Sequence, residues 1–259
     1  MPPRTRRKSA SPSAPRPARA GSGQPGPARA GSSHPGAARA IQVAGSGLLL
    51  LAVAAVFLPA PLAWGAGHWA YVPPWVAALL VVAGLVTLWT PLGLRVGEGG
   101  IRAGRTLVLG HPLLAFGALP AAFATLGWLL RSRVHFLGDG WLLGELVSRE
   151  LGYHGFDFVD YLFKARLFGA MGLSTEGDAF ALFGVVSVAA GALYAMAAAF
   201  VARRFQGDAG ERIALYALVM ALPAVQLFFG YVECYALLSV GMLLFLGATW
   251  LHYQGRVRA

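Results

Sequence analysis

Residues 179–202 read AFALFGVVSVAAGALYAMAAAFVA, with Glu176 and Asp178 just before them and Arg203 and Arg204 just after. No charged side chain interrupts the run. An α-helix rises about 1.5 Å per residue, so a run of this length covers the roughly 30 Å hydrocarbon core of a bilayer. Charges that stop at both ends suit a membrane span, because an ionised group in hydrocarbon is costly. The small residues Ala189, Ala190, Gly191, Ala192 and Ala197 to Ala199 suit close approach between helices.

The rest of the chain has the same character. It is 57% apolar and 12% charged over 259 residues, with a mean hydropathy of +0.60. Soluble domains carry roughly 25% charged residues. From Ile41 to Leu94 there is no charged side chain, and the break between two spans falls at Gly65 to Pro74, where Trp69, Tyr71 and Trp75 suit an interfacial belt. The hydropathy predicts an all-α polytopic transmembrane helix bundle of about six spans, near 46–64, 75–94, 110–130, 179–201, 213–230 and 234–252. Residues 1–40 are Pro, Ala, Gly, Ser and Arg-rich with no acid and contain a ten-residue repeat (Pro17–Gly26, Pro27–Gly36). Such a composition predicts a disordered basic tail ahead of a transmembrane domain over 41–259.

The formal charge is +10. Its distribution argues for topology rather than nucleic acid, because eight of the 21 Lys and Arg lie in the tail and most others flank apolar runs. With the N-terminus cytoplasmic, sixteen basic residues fall inside and five outside (Arg131, Arg133, Arg149, Lys164 and Arg166). The positive-inside rule therefore predicts a multi-pass protein of the inner or plasma membrane, with 131–178 on the outer face. The one cysteine, Cys234, permits no internal disulfide, and the six histidines show no zinc-ligand spacing.

The loop 131–178 is the only long polar segment between apolar spans, and it holds seven of the eleven acids. Two short helices fit it, near 141–151 and 157–171. Glu145 and Arg149 are i, i+4 partners on the first. On the second, Asp157, Asp160 and Lys164 fall within about 60° of one another on a helical wheel. Phe158, Val159, Leu162 and Phe163 cover its other side, from which Arg166 projects. Such a pair is expected to lie on a membrane surface. Asp139, between Gly138 and Gly140, has its carboxylate free of side-chain crowding. It offers itself as a general base or as a ligand to a divalent metal. Arg149, Lys164 and Arg166 suit a lipid phosphate. Glu233 interrupts an apolar stretch and adds a second acid on the same side. A Gly-Asp-Gly is also a common turn, and Glu233 also fits an ordinary charged turn between two spans, so these readings stay open.

A span, then Phe136-Leu-Gly-Asp-Gly-Trp-Leu-Leu-Gly-Glu145, an aromatic-rich helix pair, a long Ala/Gly/Val-rich span ending in Arg203-Arg204, a span with Pro223, and Tyr231-Val-Glu-Cys-Tyr235 follow in order. Over about 115–255 this order resembles the front half of GT-C-type polytopic membrane glycosyltransferases, which include protein mannosyltransferases and aminoarabinose transferases. The resemblance implies sugar transfer from a polyprenyl-phosphate donor to an acceptor at the outer membrane face. It implies Asp139 as general base or metal ligand and Glu145 as a weaker second acid; from their own chemistry Arg149, Lys164, Arg166 and Glu233 are the residues expected to bind the donor and its lipid phosphate. The next acid after Asp139 lies six residues on, and the chain has fewer spans than the class, as a truncated member would. The partners implied are the lipid-linked sugar and membrane lipids, not nucleic acid. A multi-pass transporter and a non-catalytic membrane scaffold or assembly subunit are the alternatives.

Overall fold

The computed structural model describes residues 35–57, 73–132, 140–149 and 158–255. Among these, every regular element is helical and no strand occurs. The chain forms two compact units, residues 1–89 and 90–259.

The first unit contains α1 (Pro35–Ala55) and α2 (Pro74–Trp89). Each begins with a proline, whose missing N–H costs nothing in a first turn. They pair antiparallel. Gln42 Nε2 donates to the Leu88 carbonyl at 2.9 Å, and Trp89 Nε1 donates to Ser46 Oγ at 2.8 Å. Gly45 lies under Leu88 and Gly84 under Leu49, so two glycines bring the helices together. α1 starts at Pro35, within the stretch that composition placed in the tail. The remainder of that tail, 1–34, lies outside the described residues.

The second unit is built on one helix. α3 (Pro91–Gly104) runs into a π-helical turn, Arg105–Gly110, and a second π turn, Leu114–Ala118, leads into α4 (Leu119–Leu129). α5 (Gly140–Ser148) and α6 (Phe158–Ala170) follow, then α7 (Glu176–Arg204), α8 (Ala209–Met220), a 3-10 turn Pro223–Phe228 and α9 (Ala236–Tyr253). α7 has 29 residues, about 43 Å of helix at 1.5 Å each. It touches α4, α5, α6, α8 and α9. Its start is fixed by a reciprocal cap, in which Thr175 Oγ1 accepts from Asp178 N at 3.1 Å and Asp178 Oδ2 accepts from Thr175 N at 3.1 Å.

Contacts along α7 give each neighbour a direction. α4 runs against it, with Phe116 under Arg203 and Gly127 beside Val188. α9 runs with it, from a cluster shared by Ala236, Val240 and Ala190 to Gly247 against Val201 and Trp250 stacked on Phe205 at 6.2 Å. Between them the chain returns along α7, from Ile213 packed in one cluster with Ala199 to Phe228 against Gly191.

That return is where the expected helix over 213–230 needs correction. α8 stops at Met220, after 12 residues. Pro223 has no N–H and disfavours α geometry at the residue before it. Leu222 accordingly takes φ −63° and ψ 143°. The chain continues as a 3-10 turn and then without regular structure to Tyr235. Its carbonyls find donors on neighbouring elements. Tyr194 Oη donates to Val219 O at 3.2 Å, Ser187 Oγ donates to Leu227 O, and Ser132 N donates to Phe229 O at 2.8 Å. Non-helical backbone away from water needs such partners. Ser187→Ala is expected to cost about 1 kcal/mol, read as chemical unfolding in detergent, because a part-buried carbonyl loses its donor. An unchanged midpoint would mean that the carbonyl finds another.

Two helices are long and apolar enough to cross a membrane, Glu176–Arg204 and Ala236–Tyr253. A third span results if the interrupted pair Pro74–Trp89 and Pro91–Gly110 counts as one. Arg39–Ala55 and Leu114–Leu129 are apolar but shorter. Six uninterrupted spans are therefore not what the described residues contain.

Candidate functional site

The loop helices form close to where the sequence places them, and α5 and α6 both pack on the first half of α7. Gly144 allows this on α5. A Cβ there would stand 2.6 Å from the Phe180 ring, which also meets Trp141 edge-on at 5.1 Å.

The orientation of α6 is the reverse of a helix resting on a surface with its charges in water. Asp160 and Lys164 face the protein, 9% and 1% exposed. Val159 is 80% exposed, and Leu162, Phe163 and Arg166 also face outward. Lys164 Nζ pairs with Asp160 Oδ2 one helical turn away, donates to the Glu233 carbonyl at 2.7 Å and stands 4.4 Å from the Phe183 ring centroid. A buried ammonium is tolerated only with such company, namely an opposite charge, further acceptors and an aromatic face. The ammonium thus ties α6 to the irregular segment before α9 and to α7.

Around it lie Tyr161, Phe168, Leu182, Phe183, Val232 and Cys234, all buried in one cluster. Burial pushes the Tyr161 phenol above its ordinary range, and the Cys234 thiol adds to the shift in the same direction. Cys234 is itself only 2% exposed, a packing position rather than a nucleophile's.

The sequence-derived site residues therefore separate. Lys164 and Glu233 come together, although the contact is to the Glu233 main chain, and Glu233 lies buried in an irregular segment rather than at an exposed hairpin turn. Lys164 does not stand on the surface with Arg149 and Arg166. Glu145 pairs with Arg149 at 3.0 Å, as the i, i+4 spacing predicts, and both side chains are open to solvent, 45% and 67% exposed. Asp139 lies outside the described residues, as do His135, His154 and Asp157. Among the described residues no three His, Cys, Asp or Glu side chains gather as metal ligands. Asp160, Ser187 and Arg203 gained no role from sequence. Asp160 left a usable signal, its i, i+4 spacing to Lys164. Ser187 and Arg203 left none beyond being polar or charged on or beside an apolar span.

No protein-family model, curated protein or solved structure matches the chain.

Proposed function

We propose that this chain is a membrane-embedded, glycosyltransferase-like protein that moves a sugar from a polyprenyl-phosphate donor to an acceptor at the outer membrane face. The observation that carries the reading is the helix pair α5–α6, packed on the start of α7 with the ionised side of α6 turned toward Glu233. Asp139, the acid singled out by resemblance, immediately precedes α5 in sequence. In the proposed reaction Asp139 takes the proton of the acceptor hydroxyl. That oxygen attacks the anomeric carbon, and the bond to the lipid phosphate breaks with its electrons. Arg149 and Arg166, both outward, stabilise the departing phosphate. Glu145 is the weaker second acid.

The broken return between α7 and α9 is read as an interrupted span, because it retraces α7 and its freed carbonyls are bonded within the protein. Charge supports the orientation. At the Arg203 end of α7 the described residues include Arg102, Arg105, Arg203, Arg204 and Arg212 against Asp208 and Glu211. That is the sign of a cytoplasmic face.

Asp139→Asn is expected to abolish transfer of labelled sugar from a polyprenyl-phosphate donor in reconstituted membranes, at least a hundredfold on the scale of a lost general base, with expression and insertion retained. Undiminished transfer removes Asp139 from catalysis. One observation favours a second reading, a non-catalytic scaffold: Lys164 is committed to bracing the fold rather than to a ligand. Tolerance of Asp139→Asn together with co-purification of a stable membrane partner would select it.

A further inference from the structure

We propose that α3 and the π turn that continues it form a seat for anionic phospholipid headgroups at the arginine end of α7. This rests on the membrane part of the reading above and not on sugar transfer. Two contacts fix the place. Arg203 Nη1 donates to the carbonyls of Val108 and Leu109, at 2.7 and 3.0 Å, and Gly104 lies against the Ile213 side chain. α7 is about 43 Å long against a hydrocarbon core of roughly 30 Å. On the membrane reading the excess length puts its Arg203 end, and the end of α3 packed there, at headgroup depth. Aromatic residues mark the same level, with Trp250 stacked on Phe205 and Tyr253 beside it, as in an interfacial belt.

The chemistry of α3 fits that depth. Arg95, Arg102 and Arg105 are exposed, and with Glu98 they fall within an arc of about 80° on a helical wheel. Among the described residues none of the three forms an ion pair, both such pairs lying on α5 and α6. The other acids at this end are turned to backbone. Asp208 Oδ1 accepts from Glu211 N at 2.9 Å, and Glu211 Oε2 accepts from Asp208 N at 3.0 Å, capping α8. With one acid, Glu98, set among three arginines, the row keeps a net positive charge for an outside anion. Leu92, Leu94 and Val96 are also exposed on α3, at 51%, 73% and 59%. Apolar residues beside a basic row suit lipid, which offers both phosphate and acyl chain, and do not suit a water-soluble polyanion.

The test uses the full chain in nanodiscs of phosphatidylcholine, with and without phosphatidylglycerol. Phosphatidylglycerol retained by the protein is read by mass spectrometry, and thermal unfolding is followed in parallel. The wild type is expected to retain phosphatidylglycerol over phosphatidylcholine by roughly tenfold or more, as one or two such contacts give. Raised salt is expected to reduce the preference. The combined variant Arg95→Gln, Arg102→Gln and Arg105→Gln is expected to lose it while melting as wild type in phosphatidylcholine alone. If that variant melts early, Arg102→Gln alone, which should lose part of the preference, decides. No preference in the wild type, a preference indifferent to salt, or full retention by the variants overturns the seat. So does transfer of the effect to Arg149→Gln with Arg166→Gln. Failure of the chain to enter discs overturns the membrane reading itself, whereas an inactive or fully active Asp139→Asn bears only on sugar transfer.

Discussion

Lys164→Ala is expected to lower the unfolding free energy by about 3–5 kcal/mol, the usual cost of removing one partner from a buried ion pair. Few single changes reach that size. Lys164 is 1% exposed and Asp160 9%, so the aspartate would be left charged in a site that water barely reaches. The Glu233 carbonyl would lose its ammonium donor at the same time. Chemical unfolding in detergent measures the loss. The informative companion is Asp160→Leu with Lys164→Met. The two charges then leave together, and much of the stability should return, short of about 1–3 kcal/mol for the orphaned carbonyl. A double variant as unstable as the single one would mean that the main-chain bond, not the ion pair, holds α6 in place.

Gly191→Leu should be nearly as damaging, for a steric reason. A Cβ at Gly191 would stand 2.6 Å from Phe228 Cβ and 2.8 Å from the Phe123 ring. The neighbours cannot move aside independently, because the Phe123 and Phe228 rings meet edge-on at 6.4 Å and Phe228 is fully buried. Overpacking of this kind costs about 1–3 kcal/mol, and a leucine belongs at the upper end. Gly241→Ala is the control, since nothing lies within 4 Å of a Cβ there. In the middle of α9 it should stabilise by about 0.5–1 kcal/mol through helix propensity. If both variants melt as wild type, α7 is not packed as described.

The loop helices were legible because their signals are local. Glycines at 138, 140, 152 and 155 bound them, and apolar residues recur at helical spacing between. The long run at 179–202 was legible as α7 for the same reason. The return from α8 to α9 was not. Hydropathy responds to composition, and residues 213–230 have the composition of a span. What decides their conformation is Pro223 together with donors at Ser132, Ser187 and Tyr194, none of them neighbours in sequence.

The candidate site was legible in part. A helical wheel gives the angle between the two stripes of α6 but not which stripe meets the protein. A helix lying on a membrane turns its apolar side to the lipid, and that expectation placed Asp160 and Lys164 toward water. Lys164 therefore looked like a hand for lipid phosphate, in one set with Arg149 and Arg166, which do face outward. Glu233 drew notice as an acid interrupting an apolar stretch, yet the group that meets Lys164 is its main-chain oxygen, which no side-chain pattern reveals.

The inward face of α6 has a consequence for how the protein is made. Asp160 and Lys164 sit four residues apart on one helix, so their bond needs no other element and can close as soon as that turn winds. Nascent α6 then carries a neutral couple toward the lipid rather than two separate ions. The Glu233 carbonyl arrives 69 residues later in synthesis and completes a site that was electrically balanced from the start. Moving either charge to another helix would keep the final contact while requiring an isolated ion to wait at the membrane for its partner.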